Sequence, residues 1–160
     1  EAFKDNGGLT YDCEPLMSND NFIDALSFAL DRETFATSRG SVPSQSYFAP
    51  AYLWDPENGK PYDDTPQHKA VIAEYSPSTF GYNKTIAINL MDKAIEEEIN
   101  KGNYESWTST AHIDINWMNP TDTDEYGEEI KSYFDSAFAE TKAAKKGFKL
   151  EIENHNGTKI

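Results

Sequence analysis

The chain has 160 residues, a formal net charge of −14 and 38% hydrophobic residues, enough for one domain with its own core and adverse to nucleic-acid phosphates or anionic lipid as partners. No apolar run approaches the roughly 18 residues of a membrane span. The lone Cys13 excludes an internal disulfide and a cysteine metal cluster.

The chain opens Glu1-Ala2-Phe3-Lys4, with no Met and no basic-then-apolar leader, and is expected to be an excised piece or a mature fragment. Residues 1–21 are loop-like around a short strand near Leu9–Cys13. In Phe22–Ala36, Phe22, Ala25, Leu26, Ala29 and Leu30 recur at three- and four-residue steps, the spacing of one helical face. Asn19, Asp20 or Asn21 is placed to cap that helix, and Asp31 to cap a second one after a bend tied by Arg32. Gly40 is the expected stop. Residues 38–68 carry Pro43, Pro50, Pro56, Pro61 and Pro66, which forbid a long helix. Their aromatics Tyr47, Phe48, Tyr52 and Trp54 argue against disorder. Core packing is the favoured expectation for them, and ligand contact the alternative. Asp55–Gly59 is a turn, Asp63-Asp64 another before Pro66, and His68–Tyr75 a short helix.

Lys84–Lys101 places Ala87, Leu90, Met91, Ala94, Ile95 and Ile99 on one side of a helix, with Glu96-Glu97-Glu98 expected on its solvated face and Gly102 at its end. From His112 the period changes to two. Ile113, Ile115 and Trp117 alternate with Asp114, Asn116 and Met118, the pattern of a strand that Asn119-Pro120 stops. The longest helix is predicted over Asp124–Lys146, capped by Thr121, Asp122 or Thr123, with acids at its start and lysines at its end to suit the helix dipole. After Gly147, Phe148, Leu150 and Ile152 alternate with Lys149, Glu151 and Glu153 as a second strand, and His155 is expected in a turn. Strand, helix, strand predicts a βαβ unit with parallel neighbours. The fold class expected is α/β, with helices packed on a small mixed sheet and a C-terminal βαβ unit, all in a single domain over residues 1–160.

The run Ala25-Leu26-Ser27-Phe28-Ala29-Leu30-Asp31-Arg32-Glu33 resembles the A-L-S-x-A-I-D-R-E signature of the extracellular solute-binding proteins, family 5, the oligopeptide- and dipeptide-binding receptors of ABC importers. The family usually has Arg two residues before the first Ala; Ile23 stands there, which removes a charge and leaves the helical face intact. Gly59-Lys60-Pro61-Tyr62 looks like the family's G-x-x-Y element, Lys101-Gly102-Asn103-Tyr104 like a longer form of its A-G-Y turn, and Gly147-Phe148-Lys149-Leu150-Glu151-Ile152 like its G-[IF]-x-[VL]-x-[IV] strand. The resemblance spans most of residues 10–154.

It implies a piece of the C-terminal lobe of a two-lobed, periplasmic-binding-protein-like type II fold that closes on an extended peptide. It further implies an oligopeptide ligand, a membrane permease as partner, no catalysis and a monomer. The implied location is outside the cytoplasmic membrane, lipid-anchored or periplasmic. Cys13 has no lipobox-like run before it and is not the anchor. The family's ligand-clamping acid and its W-x-x-D-[YF] region lie beyond the last strand here, and the natural chain is expected to continue past Ile160.

Catalytic motifs are missing: no G-x-S-x-G, H-E-x-x-H, Walker loop or G-x-G-x-x-G occurs. His68, His112 and His155 stand far apart, and no cofactor or metal is expected. Asp122–Gly127 starts like a calcium loop, but Tyr126 and Tyr133 occupy positions that need oxygen ligands, so capping explains those acids better. The ligand is expected where the first strand of the βαβ unit meets the following helix, at Asn119, Asp124 and Tyr126, because strand-to-helix junctions are the usual binding positions in α/β units. Two rival readings are a cell-surface interaction module using the aromatic loop 47–54 and a non-catalytic domain of an extracellular hydrolase.

Overall fold

A computed structural model of the chain describes residues 2–3, 9–10, 14–46, 51–117 and 125–156. Strands β1 (Ala2–Phe3) and β2 (Leu9–Thr10) form an antiparallel pair. A 3-10 turn over Pro15–Ser18 buries Leu16 and delivers the chain to Asn19. The Asn19 carboxamide oxygen accepts from Asn21 N and Phe22 N at 3.0 and 3.4 Å, filling orphan donors at the start of helix α1 (Asp20–Ala29). Leu30 is extended and ends that helix. Asp31 then caps helix α2 (Arg32–Thr37), accepting from Thr34 N at 3.0 Å and from Thr34 Oγ1 at 2.8 Å.

Arg32 ties the bend, as its position in the sequence suggests. Its Nη1 donates to Ser27 O at 2.9 Å and to Phe80 O at 3.3 Å, and its Nη2 donates to Ser27 Oγ at 3.0 Å. The neighbouring Gly81 has φ +88°, and a Cβ there would press on Arg32 Nη1 and Gln45 Nε2 at 2.9 and 2.8 Å. The positive φ is the stronger reason for glycine at that position, since the Arg32 and Gln45 side-chain ends could shift.

Strands β3 (Leu53–Asp55) and β4 (Lys60–Pro61) form a second antiparallel pair around the Asp55–Gly59 turn. Helix α3 (Pro66–Ala73) is capped by Thr65, whose Oγ1 accepts from His68 N at 3.2 Å. A 3-10 turn over Pro77–Thr79 leads to helix α4 (Lys84–Asn100), capped by Asn83. Strand β5 (Thr110–Trp117), helix α5 (Glu125–Phe138), helix α6 (Lys142–Lys146) and strand β6 (Lys149–Asn156) follow. β5 and β6 pair in parallel from Thr110↔Lys149 to Trp117↔Asn156, which is the βαβ order read from the sequence.

The core lies between α1 and α4 and beneath the β5–β6 pair. Phe22, Ala25, Phe28 and Ala29 of α1 join Ala87, Met91, Ala94 and Ile95 of α4, while Ala111, Ile113, Phe148 and Ile152 close the sheet side. Alanines on both helices admit a close approach, and Phe22, Met91 and Ile95 fill the remaining space with no exposed surface.

Several expectations are corrected. The small mixed sheet is instead three separate two-stranded pairings among the described residues. The predicted helix over 124–146 is two helices. Thr141 breaks it, because its Oγ1 caps α6 through Ala144 N at 3.0 Å while Asp92 on α4 accepts from Lys142 N and Ala143 N at 3.0 and 2.8 Å. Among the described residues the longest helix is α4. His155 lies within β6 rather than in a turn.

Glu98 is not solvated but only 3% exposed. It accepts from Asn19 Nδ2 at 2.7 Å, Lys101 Nζ at 2.7 Å and Asn103 Nδ2 at 2.6 Å. Burial is the largest single influence on its carboxyl and pushes the pKa up, but these three donors together outweigh it and hold the group below the ordinary glutamate range. At the edge of β5, Glu14 accepts from the buried Tyr104 hydroxyl and from His112 N, the latter at 2.9 Å. Burial, then the Glu14 bond, pushes the Tyr104 pKa up.

Candidate functional site

The junction where β5 hands over to α5 is the position from which a βαβ unit usually meets a ligand. Of the three residues expected there, Asn119 and Asp124 lie outside the described residues. Tyr126, in the first turn of α5, is half-buried, and its ring is already engaged. The guanidinium carbon of Arg39 sits 4.3 Å from its ring centre and 4.1 Å from that of Phe35, and the two rings meet edge-on at 6.2 Å. Arg39 therefore lies against two aromatic faces, a favourable place for a planar cation.

Hydrogen bonds fix the same arginine at its edges. Nη2 meets Glu129 Oε2 at 2.6 Å, while Nη1 donates to Phe35 O at 2.8 Å and to Ser38 Oγ at 2.9 Å. Glu129 also accepts from the Tyr133 hydroxyl at 2.8 Å. The Arg39 bond is the main reason why the Glu129 carboxyl is held below its ordinary range, and burial followed by the Glu129 bond pushes the Tyr133 hydroxyl up. The cluster fastens the end of α2 to α5. Its cation and anion neutralise each other, so its chemistry is positioning rather than proton transfer. Gly127, one residue after Tyr126, is buried against β6, where a Cβ would overlap the Asn154 side-chain amide. Any larger residue there would force the Asn154 side chain to move.

The aromatic loop presents a different surface. Tyr47 and Phe48 lie outside the described residues. Tyr52 and Trp54 are 62% and 54% exposed, against the expectation that they pack in the core. Lys60 Nζ lies 5.5 Å from the Trp54 ring centre and 3.6 Å from Asp55 Oδ2, which steadies the hairpin. Nearby, a cleft of about 360 Å³ is lined by Asp63, His68, Lys69, Ile72, Ala73 and Pro77.

The third candidate is the outward face of the β5–β6 pair. His112 and Glu151 stand opposite each other, with Nδ1 to Oε2 at 3.2 Å. One step along, Asp114 stands opposite Glu153, and His155 Nε2 reaches Asp114 Oδ1 at 3.1 Å and Glu153 Oε2 at 3.5 Å. These three are exposed, and each offers a donor atom that can ligate a metal ion. Dispersion of the histidines along the chain hid this group. Strand alternation through His112, Asp114, Glu151 and Glu153, continued two residues to His155, is the signal that finds it. Arg39 carries a comparable signal, four residues after Phe35, the spacing that stacks side chains along a helix end.

No family model, curated protein or solved structure matches the chain. Among the described residues, no helix is long and apolar enough to cross a membrane.

Proposed function

We propose that the chain is part of one lobe of an extracellular solute-binding protein that receives oligopeptides for an ABC importer. One observation carries the reading: three of the four polar letters of the motif, Ser27, Asp31 and Arg32, each have a distinct structural task. Ser27 receives Arg32 through both its carbonyl and its hydroxyl, Asp31 caps α2, and Arg32 reaches across to Phe80. A motif in which Ser27, Asp31 and Arg32 together shape one helix–bend–helix is what a lobe scaffold needs. The parallel β5–α5–β6 order agrees with it.

In this reading the peptide lies across the strand-to-helix junction, where Asn119, Asp124 and Tyr126 are the proposed contacts. The Arg39 cluster holds Tyr126 in place. The protein works outside the cytoplasmic membrane, lipid-anchored or periplasmic, and passes its ligand to a membrane permease without chemical change.

Thermal melting of the full-length protein with a mixed peptide library tests it. A ligand at 100 times its Kd adds about 2.7 kcal/mol to the stability of the state that binds it, which reads as a rise of several degrees in Tm. No rise with any peptide, but a rise with a sugar or a metal chelate, refutes the peptide as ligand. Hydrolysis of the peptides refutes the receptor reading itself. The exposed Tyr52 and Trp54 favour one second reading, a surface interaction module built on the β3–β4 hairpin. Loss of a partner on Trp54→Ala would support it.

A further inference from the structure

We propose that Asp114, Glu153 and His155 form a surface site for a divalent transition-metal ion of the zinc class. The inference is independent of the transport reading and begins with strand register. Parallel pairing places Asp114 directly opposite Glu153 on the outward face. Two carboxylates in that relation repel and weaken a sheet unless a cation stands between them. The register is set by the inward residues Ala111, Ile113 and Ile152, which are buried in the core, so the acids cannot slip apart.

His155 supplies the third corner. It follows Glu153 by two residues and so shares its face of the strand. Its Nε2 lies 3.1 Å from one carboxylate and 3.5 Å from the other, and the three donors all fall within 4.8 Å of one another. A tetrahedral zinc ion with bonds of about 2.0–2.1 Å sets its ligand atoms about 3.4 Å apart. The two imidazole–carboxylate separations bracket that value before any ion is added.

The donor set selects the class of ion. One imidazole and two carboxylates suit zinc and its first-row neighbours, whereas calcium and magnesium prefer oxygen alone. Three protein ligands on an open face leave a coordination position for water. A charged imidazole bridging the two acids offers the same neutralisation without metal, and the experiment separates the two. The pair His112–Glu151 is a built-in control: the same face, the same residue types, but one carboxylate opposite one imidazole.

The test uses the whole chain, stripped of metal with a chelator and held near neutral pH. Zinc is titrated by calorimetry, and cobalt by its visible absorption. The expected result is saturable binding of one ion per chain. Asp114→Asn or His155→Ala should weaken it by about tenfold or more, since even residues that only support a ligand cost that much. His112→Ala should leave it unchanged. A measurement without substitution guards against misfolding: on adding zinc, the side-chain NMR signals of His155 should move while those of His68 stay. No saturable binding at millimolar zinc overturns the proposal. So does a set of histidine signals in which His155 stays still, or an equal loss from His112→Ala.

Discussion

Residues 51–81 and the layer formed by α1, α4, β5 and β6 both carry many apolar side chains and bury them to opposite degrees. The layer buries Phe22, Met91 and Ile95 completely. Between 51 and 81 only Thr65 and Gly81 are buried, and Tyr52, Leu53, Trp54 and Val71 stand in solvent. Periodicity makes the difference. Apolar residues at helical and strand spacing gather on one face and bury each other, whereas prolines interrupt the second region before a face can form. Its described attachments to the rest of the chain include Arg32 to Phe80 O, Gln45 Nε2 to Tyr75 O at 2.6 Å, and the Tyr75 ring stacked on Phe28 at 5.6 Å. Stability in this molecule is therefore unevenly distributed, and substitutions can break the contrast or sharpen it.

The largest effect belongs to the layer. Phe22→Ala removes a ring with no exposed surface, and urea melts should show a loss of about 3–5 kcal/mol. A loss below about 1 kcal/mol would mean that the α1–α4 contact is not the centre of the fold.

The buried polar network comes next. Glu98→Ala leaves Asn19, Lys101 and Asn103 each short of an acceptor, an expected loss of about 1–3 kcal/mol in the same melts. The sign of its pH dependence is fixed. The carboxyls of Glu97, Glu98, Glu129 and Glu140 are all held below the ordinary range in the folded chain. Their contribution is fully present above the unfolded glutamate pKa of about 4.3 and is lost as pH falls through the lowered values. Urea midpoints measured from about pH 6 to pH 3 should fall, and Glu98→Gln should flatten that fall. An unchanged slope in Glu98→Gln would assign the acid sensitivity to the other three.

These same residues show what could be read in the sequence. The Asn19 and Asp31 caps, the Gly102 and Gly147 stops and the alternation of β5 were legible, because each depends on neighbours within a few residues. The burial of Glu98 was not, since Asn19 meets it from 79 residues away. Nor was the break at Thr141, which Asp92 supports from another helix. The candidate site divides in the same way. The strand-to-helix junction followed from local pattern, but Arg39 beside Tyr126 and Asp114 opposite Glu153 depend on which helix lies on which and on strand register.

A smaller and more local effect should follow at the attachment itself. Arg32→Met deletes the bonds to Ser27 and Phe80, a cost of about 1.5 kcal/mol, the low end for charged hydrogen bonds because these are only part-buried. Hydrogen exchange should quicken around Phe80 and Tyr82 while α4 keeps its protection. Equal quickening in α4 would show that the two regions open as one unit.

The smallest effect on stability is expected at Trp54, and it is the most informative about function. The side chain is 54% exposed, and its described ring partner is Lys60, itself largely in solvent. Trp54→Ala should change the unfolding free energy by less than about 0.5 kcal/mol, within the usual range of surface substitutions. A ring this large, kept in water by a hairpin that does not need it for folding, is free to serve a contact. If Trp54→Ala leaves peptide stabilisation of the full-length protein intact, Trp54 takes no part in peptide binding and the junction beside Tyr126 stays the proposed contact. If the stabilisation disappears while the urea midpoint stays, the contact belongs to the hairpin, and the region with the least buried surface is the one that binds.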